Sequence, residues 1–233
     1  MFFDIEATNL NADFGYILCI SWKFLGNDRV HTISIVESPS FKNDPTDDSY
    51  VVGEFQKVSE SVDMIVTWYG TRFDVPFVNS RLLYHDLPIL PPIPHVDGWR
   101  IAKYKLKLHS NRLASVLAFL NLPDKTPLSG PIWQKATAGH KQSIKYVVEH
   151  CEQDVRMLEK AYLKIRSLTA QHPNLALTSP YHTGIMCPVC KSQKMQKRGF
   201  QINQGLTIFQ RFRCMDCGKW SKDKGERMPV IAR

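Results

Sequence analysis

Four cysteines near the C-terminus leave few folds open to that part of the chain. Cys187-Pro188-Val189-Cys190 and Cys214-Met215-Asp216-Cys217 are two C-x-x-C pairs with 23 residues between them. Two thiolates at this spacing can face one ion from a tight turn, and two such turns supply the four soft ligands of tetrahedral Zn²⁺. A segment of about 45 residues buries little core, so a metal must hold it together. The rival reading is a pair of disulfides. Nothing in the sequence points to an oxidising compartment, so one structural Zn²⁺ on Cys187, Cys190, Cys214 and Cys217 is expected, in a cytoplasmic protein. Residues 200–202 and 206–213 read as strands joined by Asn203-Gln204-Gly205, and Gly218 stands where a knuckle turn favours positive φ. The expected organisation is a first domain over 1–170, a linker over 171–182, a zinc ribbon over 183–224 and a basic tail over 225–233.

The charge follows the same division. The net charge is +8; residues 183–233 hold 11 Lys and Arg against 3 Asp and Glu, whereas residues 1–182 hold 19 of each. Excess positive charge confined to a small appendage suggests a polyanionic partner, nucleic acid first; a solubilising tail is the plain alternative. The aromatic and cationic residues Phe209, Arg211, Phe212 and Arg213 interleave, so Arg211 and Arg213 are candidate nucleic-acid contacts. The alternative is that the aromatics form the ribbon's small core and only the charges face out.

The remainder is a balanced globular sequence, 43% apolar overall, with no run near the roughly 20 residues a membrane helix needs. The start, Met1-Phe2-Phe3-Asp4-Ile5-Glu6, carries two acids and no basic segment, unlike a secretory leader. Residues 1–7, 15–24, 29–36 and 63–69 read as strands, as does the short His95-Val96-Asp97; residues 50–61, 76–85, 111–120 and 142–167 read as helices. Residues 129–140 read as irregular, and Arg100, Lys103, Lys105 and Lys107 as a charged edge of an extended segment. Strand–helix alternation after an initial run of strands gives an α/β class with a mixed sheet. Cys19 is expected in the core, and Cys151 as packing beside the site.

Asp4 and Glu6 are two residues apart on a strand and share a face. Two same-face carboxylates at the end of an apolar strand call for a compensating cation, and carboxylate oxygen suits Mg²⁺ or Mn²⁺. Asp74 follows the 63–69 strand, and Asp154 lies on the long helix one turn after His150. Four carboxylates from three elements can converge on two metals that clamp the attacking and leaving oxygens of a phosphodiester.

These residues resemble a known family. Asp4-Ile5-Glu6-Ala7-Thr8-Asn9-Leu10 is similar to the D-x-E-x-T-x-L motif of the DEDD superfamily of 3′–5′ exonucleases. Residues 69–77 (YGTRFDVPF) resemble its N-G-x-x-F-D-x-P-F motif, and His150-Cys151-Glu152-Gln153-Asp154-Val155 its Y-C-x-x-D-V motif. The subgroup it is most similar to is the exonuclease domain of family B DNA polymerases, over roughly residues 1–170. The resemblance implies a ribonuclease H-like sheet flanked by helices and a two-metal nuclease. Asp4 would bridge two Mg²⁺ or Mn²⁺ ions, Glu6 and Asp154 would hold the ion that activates water, and Asp74 would help the other. His150 would orient or deprotonate the water, and Leu10 would wedge against the terminal base. Two positions depart from the pattern: His150 stands where the subgroup has Tyr, and Tyr69 where it has Asn. The ribbon resembles those of some transposases and transcription proteins, which bind DNA or protein. The function expected is 3′–5′ exonuclease on nucleic acid, DNA before RNA, with the ribbon helping to hold it. The alternatives are a non-catalytic nucleic-acid-binding or recruiting module and a structure-specific endonuclease.

Overall fold

The computed structural model describes residues 1–123, 127–169, 171–178, 184–203 and 207–227. They fall into two compact units, Met1–Tyr162 and Leu163–Arg233. In the first, β1 (Phe2–Ala7), β2 (Ile17–Lys23), β3 (His31–Ser34), β4 (Ile65–Thr67) and β5 (His95–Asp97) form a sheet of order β3-β2-β1-β4-β5. Neighbours β1–β2 and β2–β3 are antiparallel, whereas β1–β4 and β4–β5 are parallel. The helices are α1 (Ser49–Ser59), α2 (Asp74–Tyr84), α3 (Gly98–Lys105), α4 (Leu113–Phe119), α5 (Gly130–Thr137) and α6 (Lys141–Ile165).

The alternation of β1 decides which helix covers which face. Phe3 points one way and packs 5.0 Å from the Phe55 ring of α1. Phe2 points the other way, 5.4 Å from Tyr162 of α6, so Asp4 and Glu6, at the same parity as Phe2, turn toward α6. Each aromatic is at most 1% exposed and contributes roughly 1.5–3 kcal/mol by burial. The α6 stripe Val147, Cys151, Val155, Leu158 and Tyr162 is fully buried, as its 3.6-residue period requires. Its remaining buried acid, Glu159, pairs with Lys23 at the end of β2 and accepts from Gly26 N at 3.0 Å.

Two sequence expectations need correction. The basic stretch from Arg100 is not extended: residues 98–105 form α3, capped by Asp97, whose side chain accepts from Trp99 N, with Ile101 and Ala102 buried. Alternating lysines mimicked a strand, but the buried pair and the cap set the period. Residues 129–140 are not irregular either. Gly130-Pro131 opens α5 with proline in the first turn, where its missing N–H costs nothing.

In the second unit, β6 (Met195–Ile202), β7 (Thr207–Cys214) and β8 (Trp220–Lys222) form an antiparallel sheet, with β9 (Glu226–Arg227) pairing β7. The expected turn at Gln204-Gly205 and most of the tail lie outside the described residues. Among the described residues no helix is long and apolar enough to cross a membrane.

Candidate active site and four-cysteine centre

The two acids of β1 meet α6 at its middle. His150 Nε2 lies 3.8 Å from Glu6 Oε1 and 3.8 Å from Asp154 Oδ2. The donor atoms of Glu6, His150 and Asp154 all lie within 4.8 Å of one another. One turn of helix separates His150 from Asp154, so both face the strand together. His150 and Asp154 are each 7% exposed, and Asp4 and Glu6 are half-buried. A bulge between Glu6 and Ala7 ends the regular pairing of β1 just beyond the acids.

Asp74 arrives from α2 and is held by β1 itself: Ile5 N, between the two acids in the chain, donates to Asp74 Oδ1 at 3.3 Å. Asp74 is 2% exposed. Burial pushes its carboxyl up to about 7, and the charge of Asp97 adds to this against the Ile5 N–H bond. A buried carboxyl with so little compensation fits a cation partner, which would reverse the shift. Three carboxylate-bearing elements and one imidazole form a hard, oxygen-rich donor set of the kind that takes Mg²⁺ or Mn²⁺. Thus the five expected residues come from β1, α2 and α6, and the residues present fit a divalent metal.

Cys151 is more than packing. Its thiol donates to Asp4 O at 3.5 Å and lies 3.8 Å from Asp4 Oδ2. Burial pushes this thiol well up, with Cys19 and the acids adding to it, so it remains a protonated donor beneath Asp4.

Asp97 was the larger omission. One carboxylate oxygen accepts from Tyr69 N at 2.9 Å and Trp99 N at 3.0 Å; the other accepts from Thr71 N at 3.1 Å and Thr71 Oγ1 at 2.5 Å. It therefore shapes the 69–73 turn that delivers Asp74. Only its place at the end of a short strand, before a helix, hinted at this. Within that turn Tyr69 has φ +74°, a left-handed backbone that Asn tolerates and Tyr does so only with strain. Its ring packs edge-on to Trp99, centroids 5.0 Å apart. Gly70 is obligatory, since a Cβ there would lie 2.2 Å from Thr67 Oγ1.

Leu10 sits on a loop closed by Thr8 and Tyr16, which exchange Thr8 N to Tyr16 O at 2.9 Å and Tyr16 N to Thr8 Oγ1 at 3.0 Å. Gly15 pinches this loop against Asn9. The loop pushes Leu10 (80% exposed) and Phe14 (77%) into solvent. Beside it runs a groove of about 540 Å³ between residues 10–13 and the Arg72, Phe73 and Tyr84 side of α2. The sequence reading missed Phe14; the signal that could have found it is an aromatic between Asp13 and Gly15 in a loop.

In the second unit Cys187 and Cys217 sulfurs are 3.6 Å apart, as are those of Cys190 and Cys214. All four lie within 4.8 Å of one another, and all are free thiols. The spacing is far beyond the ~2.05 Å of a disulfide and close to the edge of a ZnS₄ tetrahedron with ~2.3 Å bonds. Lys191 (φ +60°) and Gly218 (φ +76°) form the two knuckle turns, with Lys191 N donating to Cys187 O and Gly218 N to Cys214 O. Burial opposes ionisation of Cys214, but N–H bonds from Cys217 and Asp216 outweigh it and bring the thiol down to about 7. The residues present fit a zinc ion. Arg211 and Arg213 both lie on β7, in the unit that carries this centre.

Residues 1–165 match the family model described as the RNase_H superfamily. The chain belongs to the RNase H superfamily. No curated protein matches it by sequence. Among solved structures it is similar to the family B DNA polymerase from the hyperthermophilic archaeon Pyrobaculum calidifontis, with TM-score 0.54 and 15% identity. That match covers 71% of this chain and 25% of the polymerase, so it speaks for the fold. The RNase H-like mixed sheet and a ribbon with a four-cysteine cluster are thus both present, and membership of the superfamily supports a nuclease-type function.

Proposed function

We propose that this RNase H superfamily member is a metal-dependent 3′–5′ exonuclease that acts on DNA in preference to RNA and uses its zinc ribbon to hold the strand. The observation that carries the reading is the Glu6–His150–Asp154 cluster, with donor atoms within 4.8 Å, set beside Asp4 on the central strand of this sheet. Asp4, Glu6 and Asp154 would hold one divalent ion, and Asp4 with Asp74 a second. Such ions, when bound, lower the pKa of an attacking water and offset charge on the departing 3′ oxygen.

The chain's own residues do the rest. His150 Nε2 faces both Glu6 and Asp154, where a neutral imidazole can take the proton of the attacking water near neutral pH. Cys151 fixes Asp4 by its S–H bond to the Asp4 carbonyl, and Asp97 fixes the turn that presents Asp74. Leu10, exposed on its clasped loop, would press on the terminal base. The four Cys residues would hold one structural Zn²⁺.

The experiment uses 5′-labelled single-stranded DNA and RNA with Mg²⁺ or Mn²⁺, beside a chelator control and Asp154→Ala. A metal-dependent ladder that shortens from the 3′ end, faster on DNA and absent in the variant, is expected. Internal cuts on flapped or branched DNA alone would favour an endonuclease. Binding of the label without any cleavage would favour a recruiting module.

A further inference from the structure

The ribbon sheet has two unlike faces. Opposed residues of an antiparallel pair project to the same side. The pairs Arg211↔Lys222, Arg213↔Trp220 and Thr207↔Arg227 therefore put Arg211, Arg213, Lys222 and Arg227 on one face, together with Phe209. The opposite face carries Phe212, which is buried, with Ile208 and Gln210, and near them Lys197, Glu226 and Asp223. One face is thus cationic with no acid from these strands, and the other holds the ribbon's apolar packing and its carboxylates. The interleaved aromatics seen in the sequence divide between them: Phe212 is core, and Phe209 is not.

On the cationic face the charges are layered on rings. The Arg211 guanidinium lies 4.6 Å over the Trp220 ring, and Lys222 Nζ lies 3.9 Å over Phe209. Trp220 is 45% exposed and Arg213 is exposed. A solubilising surface needs no such rings, and here two of them lie together beneath cations on one face. Rings that take a base face, flanked by cations that take phosphates, are the two elements of a single-strand platform.

We infer that this face of β7 and β8 binds an unpaired strand of nucleic acid, with Trp220 stacking on a base and Arg211, Arg213 and Lys222 on successive phosphates. The inference rests on the nucleic-acid reading proposed above and names the residues that do the holding.

Fluorescence anisotropy of labelled dT₁₅ on the intact chain, without Mg²⁺ or Mn²⁺, tests it apart from cleavage. Trp220→Ala should weaken binding about tenfold or more, in keeping with loss of one base stack. Trp220→Phe, which keeps a ring, should bind within about threefold of the native chain, so a failure to fold does not explain the loss. Arg211→Gln with Lys222→Gln should make the salt dependence shallower by about 1.4 in log–log slope, for two phosphate contacts on a single strand. Lys197→Gln removes the same charge from the opposite face and should bind like the native chain. A 15-base-pair duplex should bind more weakly than dT₁₅, and rU₁₅ within about threefold of it, since stacking does not read the sugar. Native-like binding by Trp220→Ala, or a duplex bound as tightly as dT₁₅, overturns the inference; so does a native chain that binds no oligonucleotide, which would assign the face to a protein. Trp220-dependent binding in a chain that cuts nothing would leave the platform standing and sink the nuclease; cutting with no Trp220 effect on binding would do the reverse.

Discussion

The two candidate metal centres stand on opposite foundations. The carboxylate site rests on a frame that exists without it: Phe3, Ile5, Ile20, Phe55, Val147 and their neighbours form a continuous buried core beneath β1 and α6. Among the described residues the ribbon shows no such frame, for its buried cluster is Cys187, Val189 and Cys214, two of them cysteines of the four-sulfur centre. In the first unit the fold gathers acids that repel one another, and a metal would relieve that cost. In the second the metal would supply the stability that so small a core cannot. With their ions, one centre would be a load on its fold and the other the fold's support.

The sharpest break between them is functional. Asp154→Ala should lower cleavage by about a thousandfold or more, the loss of several kcal/mol of transition-state stabilisation. Its melting temperature should hold or rise, because a repulsive buried acid is gone. A melting temperature that falls steeply would mean Asp154 supports the fold. Cys190→Ser should give the converse. Limited proteolysis is expected to cut within residues 184–227 while residues 1–162 persist as a resistant fragment, and zinc content should fall. Equal protection of both regions would end the contrast.

Smaller effects probe the turn that joins frame to site. Asp97→Asn keeps the shape of the side chain but loses the charge that four donors share. Activity or metal affinity should fall about 10–100-fold, the usual scale for a group that orients a ligand. Gly70→Ala forces a Cβ to 2.2 Å from Thr67 Oγ1, a hydroxyl that also bonds His95 Nε2 at 2.8 Å. Overpacking of this kind costs about 1–3 kcal/mol, which calorimetry should read as a lower melting temperature.

The smallest effect is a pH dependence in the frame. Burial lowers the pKa of His95, against Asp97 and helped by Arg100. A histidine lowered in the fold favours the neutral form there, so its contribution is present above the unfolded value of about 6.5 and is lost as pH falls below it. Melting temperatures taken between pH 8 and 5 should fall less steeply in His95→Gln than in the native chain. Parallel curves would remove His95 from the account.

What was legible in the sequence was chemistry carried by adjacent residues. Asp4 and Glu6 share a strand face, and His150 and Asp154 a helix turn, because those periods are local. The C-x-x-C pairs were legible for the same reason. Asp97 was not, since three of its four donors are backbone N–H groups, as far as 28 residues away, and look like nothing in a sequence. Cys151 was read as packing, because a thiol's hydrogen bond to Asp4 depends on β1 and α6 meeting across 147 residues. The helices α3 and α5 were missed for a different reason. In one the exposed lysines spoke louder than the buried Ile101 and Ala102, and in the other Gly130-Pro131 looked like a break where it is a start.

That separation of 147 residues also sets a schedule for synthesis. β1 is the middle strand of its sheet, yet its parallel neighbour β4 and its covering helix α6 follow far behind it in the chain. At roughly 5–20 residues per second, a ribosome needs about 7–30 s to make the interval between Asp4 and Cys151. Through that time the antiparallel β1–β2–β3 meander can form and Phe2 stays uncovered, while the edge of β1 that awaits β4 stays open for about the first 3–12 s. Two carboxylates on the same face as Phe2 suit so long an exposure, because a charged face discourages the adhesion that a fully apolar one would invite. The acids would then serve the nascent chain before they serve any reaction.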